Sequence, residues 1–307
     1  MSKFTTIKKL WRADKHQIVV ALYNNIVHTG ITNLLSDETY LRLTYWIRFG
    51  EKLNLQHPVT FNQKLQWLKL HDRNPNYVKM VDKVLAKEYV AGIIGNKYII
   101  PTLGVYNSFD EIDFNVLPDK FVLKCNHDSG SVVICRDKSN FNVGKARKKL
   151  SKGLKTDAFY WGREYPYKFV ERKILAESYL EDSSAQDLKD YKFFCFGGKP
   201  FYCQVISNRS TNETIDFYDM EWNLQEFVGL TPLVKNSGVL TTCPVNFELM
   251  KRFSETLSVG LPFSRIDFYE SCGKLYFGEI TLYPAAGFGQ FFPNVWNYKL
   301  GELIDVI

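Results

Sequence analysis

The sequence predicts an α+β fold, with helices ahead of and among antiparallel sheets. Three observations predict it. Apolar residues recur at near-helical spacing early in the chain, as Ile7, Leu10, Trp11, Ile18, Leu22 and Ile26 do. From residue 120 the pattern changes to short alternating runs, and aromatics, common in strands, make up 15% of the 307 residues. Turn signals then separate neighbouring runs, Gly197-Gly198 and Ser271-Cys272-Gly273 above all.

Residues 1–50 read as helical and peripheral, with Lys3, Lys8, Lys9, Arg12 and Lys15 clustered early. Such a helix can lie on an anionic membrane, pack on the body of the protein or form a dimer contact. Pro58 and Thr60 open the next helix, which carries Phe61, Leu65, Trp67, Leu68 and Leu70. A further helix is expected from about Tyr77 to Ala91, stopping at Gly92. Ile99-Ile100-Pro101 begins an extended connection.

Strands are expected at Phe121–Lys124 and Val132–Cys135, flanking the polar loop 126–131. A helix follows at about 144–155. Ile174–Leu180 and Tyr191–Phe196 read as strands, and Gly197-Gly198 turns the second into Pro200–Ile206. A hairpin at about 215–227 turns near Met220-Glu221, an amphipathic helix covers about 246–258, and a last hairpin turns at Ser271-Cys272-Gly273.

Composition bounds the function. Hydrophobic residues are 45% and charged residues 23%, as in ordinary globular domains, and the length allows about two. A net charge of +6 would favour an anionic ligand, but no dense Lys/Arg module of a nucleic-acid binder is present. No apolar run approaches the ~20 residues needed to span a bilayer. The six cysteines form no C-x-x-C pair and there is no signal-peptide pattern, so they read as free thiols in a reducing cytosol. Five scattered histidines lack metal-ligand spacing, and no G-x-S-x-G or Cys–His pairing supports nucleophilic hydrolysis.

Chemistry concentrates in the last hairpin. With 271–273 as its loop, Asp267 lies opposite Phe277, and Arg265, Asp267, Phe277, Glu279 and Thr281 share a face. Asp267 and Glu279 are then diagonal neighbours, while Ile266, Phe268, Tyr276 and Ile280 face the core. Two carboxylates suit Mg²⁺, whose other ligands come from phosphates and water, and the arginine suits a phosphoryl or carboxylate oxygen. An exposed sheet face with one arginine paired to two acids reads the same way, so both remain open.

Lys124 at the end of an apolar strand can aim one charge at a phosphate, and Ser129-Gly130-Ser131 can present backbone N–H groups, with His127 nearby. A polar turn between strands has the same appearance. The Walker and G-x-G-x-x-G patterns are absent. Glu177-Ser178-Tyr179-Leu180 could offer backbone groups to adenine, Asp190 could accept ribose hydroxyls, and Lys192 could reach phosphate. The aromatic run 159–167 could stack on a sugar, form a lid or simply pack.

The order of these signals resembles the ATP-grasp fold, and more closely the TupA-like ATP-grasp family named for teichuronopeptide biosynthesis. The stretches that carry the resemblance are Asn54-Leu55 with Pro58-Val59-Thr60-Phe61-Asn62, Trp67-Leu68-Lys69-Leu70, Asp82-Lys83, Lys124 to Ser131, Asp190-Tyr191-Lys192, and Arg265 to Tyr269 with Tyr276 to Thr281. They span about 45–290. The resemblance implies two α+β subdomains gripping ATP behind an N-terminal helical extension. The expected divisions are 1–50, 51–120, 121–185 and 186–307.

It implies roles as well. Lys83 and Lys124 contact phosphates, with His127 and Ser129, Gly130 and Ser131 closing over them. Glu177, Ser178, Tyr179 and Leu180 frame adenine, and Asp190 holds ribose beside Lys192. Asp267, Glu279 and Thr281 bind Mg²⁺, while Arg265, Lys192 and Arg209 act on the reacting groups. Thr281 stands where ATP-grasp enzymes commonly have asparagine, which leaves the number of metals open. The implied reaction joins a carboxylate and an amine through an acylphosphate, with a hexuronic acid of a surface polysaccharide or its precursor and an amino acid or amino alcohol as substrates. A glycosyltransferase or sugar phosphotransferase is the alternative; only Asp187-Leu188-Lys189-Asp190 and Asp216-Phe217-Tyr218-Asp219 approach a nucleotide-sugar motif, and neither matches D-x-D. The expected location is cytoplasmic, with peripheral contact to the inner face of the membrane through residues 1–30.

Overall fold

The computed structural model describes residues 15–181, 188–209, 211–230 and 234–306. The early basic cluster Lys3, Lys8, Lys9 and Arg12, the apolar Ile7, Leu10 and Trp11, and Asp187 lie outside these residues. Two helices, α1 (Lys15–His28) and α2 (Asp37–Phe49), lead into α3 (Phe61–His71), α4 (Tyr77–Val81) and α5 (Leu85–Ile94). Strand β1 (Thr102–Tyr106) follows, then β2 (Phe121–Cys125), β3 (Val132–Cys135), α6 (Val143–Lys155), the short α7 (Phe159–Gly162) and β4 (Ile174–Ser178). The remainder comprises β5 (Asp190–Phe196), β6 (Lys199–Ser207), β7 (Thr214–Asp219), β8 (Val228–Gly229), α8 (Phe247–Ser258), β9 (Phe263–Ser271), β10 (Lys274–Thr281), β11 (Phe291–Phe292) and α9 (Val295–Glu302).

Two large antiparallel sheets organise these elements, and β8 and β11 pair in a separate two-stranded one. Of the large sheets, one has four strands in the order β1-β4-β2-β3, the other five in the order β10-β9-β5-β6-β7. Strand β1 precedes residue 121, yet it pairs with β4 in the first sheet. Alternation divides β2 cleanly: Phe121, Leu123 and Cys125 are buried with Ala146 and Leu150 of α6, while Val122 and Lys124 face the other way. Strand β5 is buried throughout, because α8 covers one face, with Phe193 against Phe247, and the other carries the cleft described below.

Local chemistry explains where elements begin and end. Thr60 closes a capping box with Gln63 at the start of α3. The single helix expected from Tyr77 to Ala91 is instead broken at residues 82–84, and α5 runs on past Gly92 to Ile94, with Gly95 as its cap. The break is a cap: Asp82 Oδ1 accepts from the backbone N–H of Val84 and more loosely of Leu85, and also from the Asn126 amide. The hairpin expected at 215–227 has only one proper strand. The Asp219 carboxylate accepts the N–H groups of Glu221 and Asn223, leaving a lone bridge, Tyr218 to Leu224, as the return.

Nor are the first fifty residues wholly peripheral. Tyr40, Leu41 and Tyr45 of α2 are buried with Leu53, Leu55 and Phe288 in a separate apolar cluster. Arg163 ties this layer to α7: its guanidinium donates to the Thr32 carbonyl at 2.8 Å and meets Asp37 at 3.3 Å. Cys125, Cys135, Cys195 and Cys203 are buried thiols outside any disulfide, as their apolar surroundings in the sequence predict.

Candidate active site

The five-stranded sheet sets a row of polar side chains across its strands. Registered pairs run from Glu279 on β10 to Asp267 on β9, Lys192 on β5 and Gln204 on β6. The adjoining row pairs Tyr269 with Asp190 and Asp190 with Ile206. Cross-strand neighbours on one face lie close enough to interact directly, so register alone brings these groups together.

The final hairpin reaches this register by two features. Its turn has two residues, Cys272 and Gly273, both at positive φ (49° and 73°) as a type I′ turn requires. Gly278 is then bulged, and a Cβ there would lie 3.0 Å from the Asp267 carbonyl. Asp267 therefore sits directly opposite Glu279 rather than diagonal to it. Phe277 joins the core against Phe268, and Tyr276 takes the other face. The bulge shifts side-chain parity by one residue, which corrects the sequence expectation for both aromatics.

Arg265 binds this cluster. Its Nε and Nη2 donate to the two oxygens of Asp267 at 2.7 Å each, and Nη2 also reaches Glu279 Oε1 at 2.9 Å and Thr281 Oγ1 at 3.0 Å. Lys192 donates to Asp267 Oδ2. Asp267 is thus saturated and 1% exposed. Glu279 keeps a 32% exposed side chain, with Oε2 4.0 Å from Lys83. Burial works to raise the Glu279 carboxyl, but Lys83, Lys192 and Arg265 hold it well below the usual range. Among the described residues no group of three or more His, Cys, Asp or Glu side chains could enclose a metal. A cation here would need further ligands from a bound molecule, as Mg²⁺ takes them from phosphates.

The four-stranded sheet faces this row with another buried charge cluster. Glu177, 4% exposed, lies between Lys124 at 2.5 Å and Lys87 at 2.6 Å. Burial alone would raise the Glu177 carboxyl; the two lysines hold it below its ordinary value. Burial lowers Lys87 and Lys83. Lys83 projects from the break between α4 and α5 and donates to the Asp128 carbonyl at 2.8 Å. Between the two sheets lies a cleft of about 760 Å³, with Lys124 and Glu177 on one wall, Lys192, Arg265 and Glu279 on the other, and Lys83 on its lining.

A family model for TupA-like ATP-grasp proteins matches residues 63–305. The chain belongs to the TupA-like ATP-grasp family. Its fold is ATP-grasp, as the sequence resemblance implies. No curated protein sequence matches it significantly. Similar solved structures include the D-alanine–D-alanine ligase of Bacillus anthracis complexed with ATP (17% identity, 67% of this chain and 54% of that chain, TM-score 0.37). The D-alanine–D-alanine ligase of Helicobacter pylori matches at 15% identity over 80% and 69% of the two chains (TM-score 0.39). The D-alanyl-alanine synthetase A of Vibrio cholerae matches at 12% identity over 79% and 68% (TM-score 0.42). The chain thus spans little more than half of the Bacillus anthracis ligase.

Within this ATP-grasp cleft the predicted residues divide. Lys83, Lys124, Ser129, Glu177, Ser178, Tyr179, Leu180, Asp190, Lys192, Arg209, Arg265 and Glu279 all line it. Asp190 is 3% exposed, with Oδ2 3.0 Å from Arg209 Nε and Oδ1 3.5 Å from Lys192. His127, Gly130 and Ser131 are not on the lining. The His127 ring is tied into the loop base, Nε2 3.0 Å from the Thr156 carbonyl and Nδ1 3.3 Å from Asn126 Oδ1. Two of the three loop amides expected to be available are occupied: Asp128 Oδ1 accepts from Gly130 and Ser131, and Oδ2 accepts from the Ser131 hydroxyl at 2.6 Å.

Three contributors escaped sequence reasoning. Lys87 could have been found from its i,i+4 spacing to Lys83. Gln204 lies on a strand whose alternation was visible, but its place in the row depends on register. Asp128 carried no signal beyond its position before Ser-Gly-Ser.

Proposed function

We propose that this protein is an ATP-dependent carboxylate–amine ligase. The supporting observation is the apposition of Arg265, Lys192 and Glu279 with Lys83 and Lys124 across one cleft, cations enough to hold a triphosphate beside a reacting carboxylate. Adenine fits along Ser178, Tyr179 and Leu180, where β4 leaves the sheet, with ribose towards Asp190. Lys124, Lys83 and the loop at Ser129 hold phosphates. Arg265 steadies the transferring phosphoryl group, oriented by its two bonds to Asp267.

Mg²⁺ suits the hard oxygen Oε2 of Glu279, while Glu279 Oε1, Thr281 Oγ1 and the Asp267 oxygens would join it only if Arg265 or Lys192 releases them. Bound there, it would neutralise charge on the phosphates. The substrate carboxylate attacks the γ-phosphorus, its bond to the β-bridging oxygen breaks, and ADP leaves. The amine then attacks the acyl carbon, phosphate leaves, and nitrogen loses a proton to give the amide. By analogy with the teichuronopeptide biosynthesis for which the family is named, the acid is a hexuronic acid of a surface polysaccharide or its precursor, and the amine an amino acid or amino alcohol. Exposed Val19, Leu22 and Ile26 on α1, together with the basic residues that precede them in the sequence, support weak contact with an anionic membrane face.

ADP release with uronic acids and amines tests this reading. ADP should form only when both are present, and hydroxylamine should trap the activated acid as a hydroxamate. A phosphorylated sugar hydroxyl instead would replace the ligase with a phosphotransferase.

A further inference from the structure

On the far side of the 127–131 loop lies a second cavity of about 320 Å³, lined by Trp161, Glu164 and Tyr167 from the segment around α7 and by Asp128 and Ser129, which also line the main cleft. It sits beside the phosphate-side groups: the Tyr167 hydroxyl is raised well above its ordinary value by burial, with Glu164, Glu279 and Asp128 adding to the effect and Arg265 opposing it.

The unusual group here is Glu164. Its apparent partner is Lys69, but Lys69 has already used its three donors, on Gln66 Oε1 at 2.9 Å, the Gly162 carbonyl at 2.6 Å and the Ala286 carbonyl at 2.7 Å. Among the described residues no donor lies within hydrogen-bond reach of the Glu164 carboxylate. Burial raises this acid above the ordinary carboxyl range, with the Lys69 charge pulling the other way. Trp161, 47% exposed, lines the same cavity; its ring meets that of His28 in a T-shaped contact with centroids 4.2 Å apart, and its carbonyl accepts from the Tyr40 hydroxyl. An unpaired carboxylate next to aromatic rings is chemistry that accepts an ammonium and rejects a carboxylate.

We propose that this cavity is the subsite for the amine substrate, which it takes up as a primary ammonium held by Glu164 and packed on Trp161. The assignment rests on the ligase reading for its role, while the binding itself can be measured separately. Ethanolamine and glycinamide, with ethylene glycol and glucuronate as neutral and anionic controls, are titrated calorimetrically into the full chain saturated with a non-hydrolysable ATP analogue and Mg²⁺. Both amines should bind, and Glu164→Gln should weaken them at least tenfold while leaving affinity for the ATP analogue unchanged. Ala158→Phe, which enlarges a side chain on the cavity lining and leaves Glu164 in place, should have the same effect and guards against a folding defect in the first variant. Failure of both amines to bind, an unchanged amine affinity in both variants, or preferential binding of glucuronate would overturn the proposal. Absence of ATP-analogue binding, with amine binding retained and sensitive to Glu164, would instead remove the ligase reading and keep the amine site.

Discussion

Replacing Glu177 by glutamine removes one charge and almost no volume from the centre of the four-stranded sheet. Lys124 and Lys87 both lie at hydrogen-bond distance from its carboxylate, and side-chain exposures of 4%, 16% and 13% leave little water to screen them. The variant confronts two half-buried ammonium groups with a neutral amide. Breaking a buried pair costs about 3–5 kcal/mol. At about 2 °C per kcal/mol for a chain of this size, Tm should fall by roughly 6–10 °C at pH 7.5, read by near-ultraviolet circular dichroism. Adding Lys87→Met to the variant should restore part of the loss, because one stranded cation disappears. A fall of less than about 2 °C would show that the lysines do not depend on Glu177.

The acids of the two facing clusters set an acid limit. The native Glu177 and Glu279 carboxyls are both held below their ordinary range. Their contribution is complete above the unfolded carboxylate value, about pH 4.3, and is lost as pH falls through the lower native values. Wild type should therefore lose Tm more steeply than Glu177→Gln on acidification from pH 5 to pH 3; parallel curves would contradict this.

Two further substitutions test the hairpin. Arg265→Lys keeps the charge but loses the paired bonds to Asp267, so ADP formation should drop by roughly 10²–10³-fold with ATP affinity little changed; a change below fivefold would remove Arg265 from the reacting centre. Gly278→Ala forces a Cβ to 3.0 Å from the Asp267 carbonyl and from the Tyr269 ring, and should cost about 1–3 kcal/mol in denaturant unfolding. A neutral result would mean that the bulge has room to spare.

The strands carrying the site were legible because alternation is a local signal: Lys124 and Asp267 stand among apolar neighbours that declare the buried face. Register was not, since it depends on a two-residue turn and on the bulge at Gly278, and one residue of error moved Phe277 and Tyr276 to the wrong faces. His127 looked like a phosphate-loop residue because the Thr156 carbonyl that holds its Nε2 is supplied by folding rather than by the motif. The role of the first fifty residues was hidden for a related reason. Tyr40 meets Trp161 across more than a hundred residues of chain, and Lys69 looks like an ordinary surface lysine on a helix until the carbonyls of Gly162 and Ala286 are brought to it.

The hold of Asp128 on the loop amides has a consequence for nucleotide entry. In an enzyme of the kind proposed, the resting loop already contains an anion of its own, so phosphate arrives by exchange rather than by addition to bare donors. Exchange of one anion for another changes the local ion atmosphere less than filling an empty cationic groove. The dependence of ATP affinity on ionic strength should accordingly be shallower than the number of lysines and arginines around the cleft suggests.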